Sequence, residues 1–111
     1  MINAKRHANS GPHGTALVTG GRRGIGRGIA LELAKAGFDV VIMDLRHDAD
    51  ADETLAGIAE QGRRPGFVVL DVRDLSQPAR ALDAMQDAFG TPDRLVNNAR
   101  TPPHAPRAQP Q

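Results

Sequence analysis

The sequence predicts an α/β fold in which parallel strands alternate with helices as β-α-β-α-β-α-β. Three observations carry this. Short apolar runs recur along the chain, and the second of them, Val40-Val41-Ile42-Met43, is continuously apolar, the signature of a strand covered on both faces. Helix-period stretches separate the runs. A glycine cluster, Gly20-Gly21-Arg22-Arg23-Gly24-Ile25-Gly26, follows the first run at once and opens the first helical stretch. Strands separated by helices build a parallel sheet with right-handed crossovers.

In chain order, residues 1–14 are polar and read as a flexible lead-in. Residues 15–19 form the first strand. A helix is expected from Gly24 to Ala36, with Ile25, Ile29 and Leu33 as its core stripe, widened by Ala30 and Ala34. Gly28 is expected to mark close packing on the sheet, and Gly37 to cap the helix end. Phe38 to Asp44 is the second strand. An exposed acidic segment follows (Asp48, Asp50, Asp52, Glu53), then a short helix carrying Leu55, Ile58 and Ala59 that Gly62 ends. Gly66 to Leu70 is the third strand, closed by Asp71-Val72. Ser76 is placed to cap the next helix, with Pro78 in its first turn and Leu82, Met85 and Phe89 facing the core. Leu95-Val96 is a short fourth strand leading into Asn97-Asn98-Ala99. Residues 100–111 hold four of the eight prolines and read as a disordered tail.

Composition excludes several functions. The chain has 111 residues, one domain at most, with 14 Lys plus Arg against 13 Asp plus Glu. A charge near neutrality gives no reason to expect nucleic acid or an anionic membrane as partner. No cysteine is present, so disulfides, zinc thiolates and a cysteine nucleophile are excluded. No apolar run approaches a membrane span and residues 1–14 lack the apolar core of a signal peptide, so a cytoplasmic location is expected.

The glycine cluster is the main candidate site. A turn between strand and helix lets a phosphate approach the backbone, and the first helical N–H groups have no intrahelical partner. The spacing Gly20-x-x-x-Gly24-x-Gly26 differs from Gly-x-Gly-x-x-Gly, but its strand-turn-helix setting is the one that phosphate binding requires. No Lys-Ser/Thr pair follows, which argues against a mononucleotide kinase or GTPase. Asp44 lies 24 residues after Gly20, at the end of the second strand, where a carboxylate accepts bonds from an adenosine ribose or caps the loop. Arg22 and Arg23 in the turn, with Arg46 beyond it, are placed to pair with a pyrophosphate or a 2′-phosphate. Asp44 points to NAD and the arginines to NADP; the acid tips the balance toward NAD. Asp71 caps its turn, alone or with the Val72 backbone against an adenine. Asn97-Asn98-Ala99 carries amides able to tie neighbouring loops together.

Thr19 to Gly26, Asp44, Asp71-Val72 and Leu95-Val96-Asn97-Asn98-Ala99 together resemble the amino-terminal half of a classical short-chain dehydrogenase/reductase. Leu17 to Ala30 is similar to 3-oxoacyl-(acyl-carrier-protein) reductase-like members. The resemblance covers residues 15–99. It implies a Rossmann-type three-layer sandwich, here truncated after the fourth parallel strand, in which residues 15–99 are a partial NAD(P)-binding domain. It assigns the cofactor to Thr19, Gly20, Arg22, Arg23, Gly24, Ile25, Gly26, Asp44, Asp71, Val72, Asn97 and Ala99. In NADP-using members a basic residue often precedes the second glycine, and Arg23 holds that place.

The departures from the family are as informative. Arg100 stands where the family's fourth motif ends in glycine. The family's later asparagine, serine, tyrosine and lysine have no counterpart, and the chain has no tyrosine to act as general acid. No catalytic residue is assigned. The expected function is a truncated NAD(P)-dependent oxidoreductase that retains the cofactor half and is inactive alone, its tail reading like a shifted frame. The alternatives are a non-catalytic dinucleotide sensor and one half of a split enzyme. With strand order 3-2-1-4-5-6, ending at strand 4 leaves an exposed edge open to self-association.

Overall fold

A computed structural model of the chain describes residues 13–75 and 77–98. Four strands form one parallel sheet in the order β3-β2-β1-β4. These are β1 (Thr15–Thr19), β2 (Asp39–Asp44), β3 (Pro65–Val69) and β4 (Arg94–Asn97). Between them run α1 (Gly24–Lys35), α2 (Ala49–Glu60), a single turn α3 (Val72–Leu75) and α4 (Pro78–Ala88). The sheet is Rossmann-like, as the alternation of elements predicts.

Three layers follow from the alternation of side chains across the strands. On one face Val18, Val40 and Ile42 pack with Ala30 and Ala34 of α1 and Ile58 of α2. On the other, Leu17, Val41 and Met43 pack with Leu75 of α3 and Ala81 and Met85 of α4. The central strand β2 is buried along its whole length, because it has strands on both sides and helices on both faces. The outer strands β3 and β4 expose their ends.

The helices differ from expectation in ways that have local causes. The acidic residues 48–53 are not a separate segment ahead of a short helix. Asp48 is the N-cap of α2, its carboxylate accepting from the Ala51 N–H at 3.1 Å, and Asp50 and Asp52 lie in the first turn. Acids at a helix start are stabilised by the unpaired N–H groups there, and a polar run hides that start from apolar periodicity. In α1, the residues against the sheet are Gly26, Ala30 and Ala34, whereas Ile25 is 78% exposed. Small residues let the helix approach the strands closely. The Ile25, Ile29 and Leu33 row sits beside that face and, with Gly28 and Glu32, lines an open apolar depression. A Cβ at Gly28 would meet nothing within 4 Å, so Gly28 is not a close-packing glycine. In α4 the buried positions are Ala81 and Met85, and Leu82 is only half-buried. Gln77 is the N-cap of that helix, with Pro78 in its first turn as expected. The cap assigned to Ser76 lies outside the described residues, as do residues 1–12, Ala99 and the tail 100–111.

Candidate nucleotide site at the carboxyl ends of the strands

Thr19 of β1 lies opposite Met43 of β2 and Asn97 of β4. The glycine turn, Asp44 and Asn97-Asn98 therefore emerge side by side at the carboxyl ends of three adjacent strands. Thr19 is fully buried, and its hydroxyl donates to the Asn97 amide oxygen at 3.0 Å, tying β1 to β4. The Gly20 N–H donates to the Met43 carbonyl at 2.7 Å, holding the turn to β2. The Asn98 amide donates to the Gly20 carbonyl at 3.2 Å, holding it from the other side.

The turn uses its glycines for two purposes. Gly20 and Gly24 have φ of +70° and +63°, a backbone region that side chains disfavour. Gly26 is required by space: a Cβ there would overlap the Gly20 carbonyl and come within 2.9 Å of the Asn98 amide nitrogen. The helix that follows has Arg23 as N-cap with no side-chain cap and no acid in its first turn. Its first N–H groups are therefore open to an external acceptor, and the positive end of the helix dipole faces outward with them.

Arg22 takes a different direction from the one expected. The residue is 5% exposed and points away from solvent. Its Nη1 lies 2.7 Å from Asp48 and 3.7 Å from Asp50, and its Nε lies 3.8 Å from Asp44. Nε is buried and makes no hydrogen bond. The main chain of Arg22 is equally fixed. Its N–H donates to Asp44 at 3.0 Å, and its carbonyl accepts from Thr54 at 2.8 Å and from Arg27 at 3.2 Å. Arg27 also donates to the Thr54 hydroxyl at 2.9 Å and lies 3.1 Å from Glu53. Thr54 and Arg27 thus clamp the turn to α2. Thr54 gave no signal in the sequence, because a threonine inside a helix ordinarily has no binding role.

Asp44 is nearly buried, and its second oxygen accepts the Leu45 N–H at 2.7 Å. Arg23 and Arg46 are exposed, 3.7 Å from Asp50 and 3.4 Å from Asp48 respectively. The Asp48 carboxyl is held below the usual carboxylate range, first by the Ala51 N–H and then by the Arg22 and Arg46 guanidiniums, with burial opposing them. Asp71 accepts the Arg73 N–H at 2.9 Å and so caps α3, which Val72 begins. The position of Ala99 lies outside the described residues. Among the described residues no cluster of His, Cys, Asp or Glu could hold a metal ion, and no helix is long and apolar enough to cross a membrane.

The sequence pattern of the short chain dehydrogenase family matches residues 14–109. This chain belongs to the short-chain dehydrogenase family. The match runs past Ala99, where the resemblance was expected to stop. Among the family's proteins, L-2,3-butanediol dehydrogenase of Corynebacterium glutamicum is 44% identical over 85 residues, 76% of this chain but 33% of that protein. The short-chain dehydrogenase/reductase homologue YusS of Bacillus subtilis is 38% identical over 91 residues, 82% of this chain and 84% of that one. The structure of a 3-oxoacyl-[acyl-carrier protein] reductase from Brucella melitensis in complex with NAD superposes with a TM-score of 0.62 at 42% identity, covering 77% of this chain and 32% of that chain. The chain thus spans about a third of two of these short-chain dehydrogenases and most of the third.

Proposed function

We propose that the described residues bind the adenosine and pyrophosphate portion of a nicotinamide dinucleotide, and that NAD is preferred to NADP. One observation carries the reading: the uncapped start of α1 lies beside the carboxylate of Asp44 at the ends of adjacent strands. In a parallel sheet of this order, nucleotides lie across the switch between β1 and β4. The Ile25 and Gly26 N–H groups would receive the pyrophosphate, with Gly20 and Gly24 shaping the turn. Asp44 would accept the ribose hydroxyls through the lone pairs that the Arg22 and Leu45 N–H groups leave free. Thr19, Asn97 and Asn98 would hold the strand ends beneath the cofactor. Arg23, Asp71 and the Val72 backbone would border it, and Arg22 would act from beneath the turn. When bound, the dinucleotide supplies hydride chemistry. In the family that the sequence resembles a tyrosine is the general acid for that chemistry, and the 111 residues contain none, so the expected result for this chain alone is no carbonyl reduction.

Binding is the property that this reading requires. Calorimetric titration of the purified chain with NAD and NADP tests it: the expected result is saturable binding with NAD the tighter ligand. A folded chain that binds neither would refute it. NADH consumption with a panel of carbonyl compounds, by the chain alone, would overturn the assignment of no turnover.

A further inference from the structure

Asp48 and Asp50 engage every arginine beside the ribose-binding carboxylate assigned above. Asp48 lies 2.7 Å from Arg22 and 3.4 Å from Arg46. Asp50 lies 3.7 Å from Arg22, 3.7 Å from Arg23 and 3.6 Å from Arg27. Both acids have an independent reason to stay in place, because they form the N-cap and first turn of α2, where the helix dipole stabilises carboxylates. Arg22 is the cation paired with Asp44, its Nε 3.8 Å from that carboxylate and its own N–H bonded to it. Its guanidinium is nevertheless turned under the turn, with Nε buried and lacking an acceptor. The guanidinium is held by one hydrogen bond, from Nη1 to Asp48 at 2.7 Å, and otherwise by charge.

We propose that Asp48 and Asp50 sequester Arg22, and that this sequestration, acting with Asp44, makes the site select a 2′-hydroxyl over a 2′-phosphate. The inference rests on the dinucleotide reading above and extends it to the origin of specificity. A 2′-phosphate needs a guanidinium to offset its charge, and arginine pairs with phosphate in bidentate fashion. The turn contains suitable arginines. With those arginines already paired to Asp44 and to the acids of α2, an incoming phosphate meets the Asp44 carboxylate without a guanidinium of the turn to offset its own charge. Selectivity then lies in two acids several residues beyond Asp44, which act through Arg22 rather than by touching the ribose. They are positioning residues.

The test is the Asp48→Asn/Asp50→Asn double variant of the full chain, titrated with NAD and with NADP. Asparagine keeps the capping acceptor at residue 48, so α2 retains its start. The expected result is a fall of about tenfold in the ratio of the NADP to the NAD dissociation constant, the worth of one hydrogen bond between charged groups. Adding Arg22→Gln should abolish the gain, which separates Arg22 from Arg23 and Arg46. A gain that survives Arg22→Gln, or a ratio that does not change in the double variant, would overturn the proposal. If the double variant does not fold, Asp50→Asn alone should move the ratio in the same direction by a smaller factor, and no movement would overturn it. A wild-type chain that binds neither dinucleotide removes the underlying reading and this inference with it. One that binds both, with no response to the acids, removes the inference alone.

Discussion

The side-chain amide of Asn98 donates to the carbonyl oxygen of Gly20 at 3.2 Å, although 78 positions separate the two residues. Gly20 is therefore held twice, by Asn98 through its carbonyl and by Met43 through its N–H. The bond explains why an asparagine follows β4. Replacing Asn98 with Ala should lower stability by about 1 kcal/mol, the net worth of one neutral hydrogen bond. It should also weaken NAD binding, because Gly20 loses one of its two anchors. Thermal melts and calorimetry on the same preparations check both effects.

Gly26 and Gly28 stand two residues apart in α1 and should respond oppositely to alanine. At Gly26 a Cβ would overlap the Gly20 carbonyl, so Gly26→Ala must displace backbone, at a cost of about 1–3 kcal/mol and with loss of dinucleotide binding. At Gly28 a Cβ meets open space, and Gly28→Ala should stabilise the chain by roughly 0.5–1 kcal/mol through better helix propensity. Urea midpoints of the two variants, compared with the wild type, decide the matter.

Leu17 lies at the centre of the α3 and α4 face of the sheet with no exposed surface. Leu17→Ala should cost about 2–5 kcal/mol, since β1 has strands on both sides and cannot collapse to fill the cavity. Equilibrium unfolding in urea measures it, and a loss much below that range would mean that this face is loosely packed.

Asp48 makes stability depend on pH in a defined direction. Its carboxyl titrates below the ordinary value of 3.8 in the folded chain, chiefly because the ionised form accepts the Ala51 N–H. A carboxyl with a depressed folded pKa adds stability that is fully present above its unfolded pKa and is lost as pH falls through the folded value. Urea midpoints between about pH 2 and about pH 6 should therefore drop more steeply at the acid end for wild type than for Asp48→Asn. Parallel curves would refute the role given to Asp48.

Much of the fold was legible because its causes are local. Thr15–Thr19 was readable as a strand from a run of apolar residues, and β2 as a central strand from its unbroken apolar core. The glycine turn was readable from its place between a strand and a helix. Legibility failed where the deciding partner was remote. Periodicity selected Ile25 as a core residue, yet it is exposed, because a local pattern does not say which neighbour a face meets. The glycine that packs closely is Gly26 rather than Gly28, since only the former faces the Gly20 carbonyl. The acids from Asp48 onward read as an exposed segment ahead of a short helix, although they begin that helix.

The same division separates the elements of the site from their arrangement. Residue order alone places a glycine turn after β1, an acid at the end of β2 and paired amides after β4, because turn geometry and strand length act over a few neighbouring residues. Tertiary structure decides that Arg22 faces Asp48 instead of solvent, that Thr54 and Arg27 hold its carbonyl, and that Asn98 reaches Gly20. These contacts join separate elements, and except for the one from Arg27 to Arg22 they span many residues of sequence. They exist only once the sheet has set β1, β2 and β4 side by side, since a hydrogen bond or ion pair depends on distances that no local pattern contains.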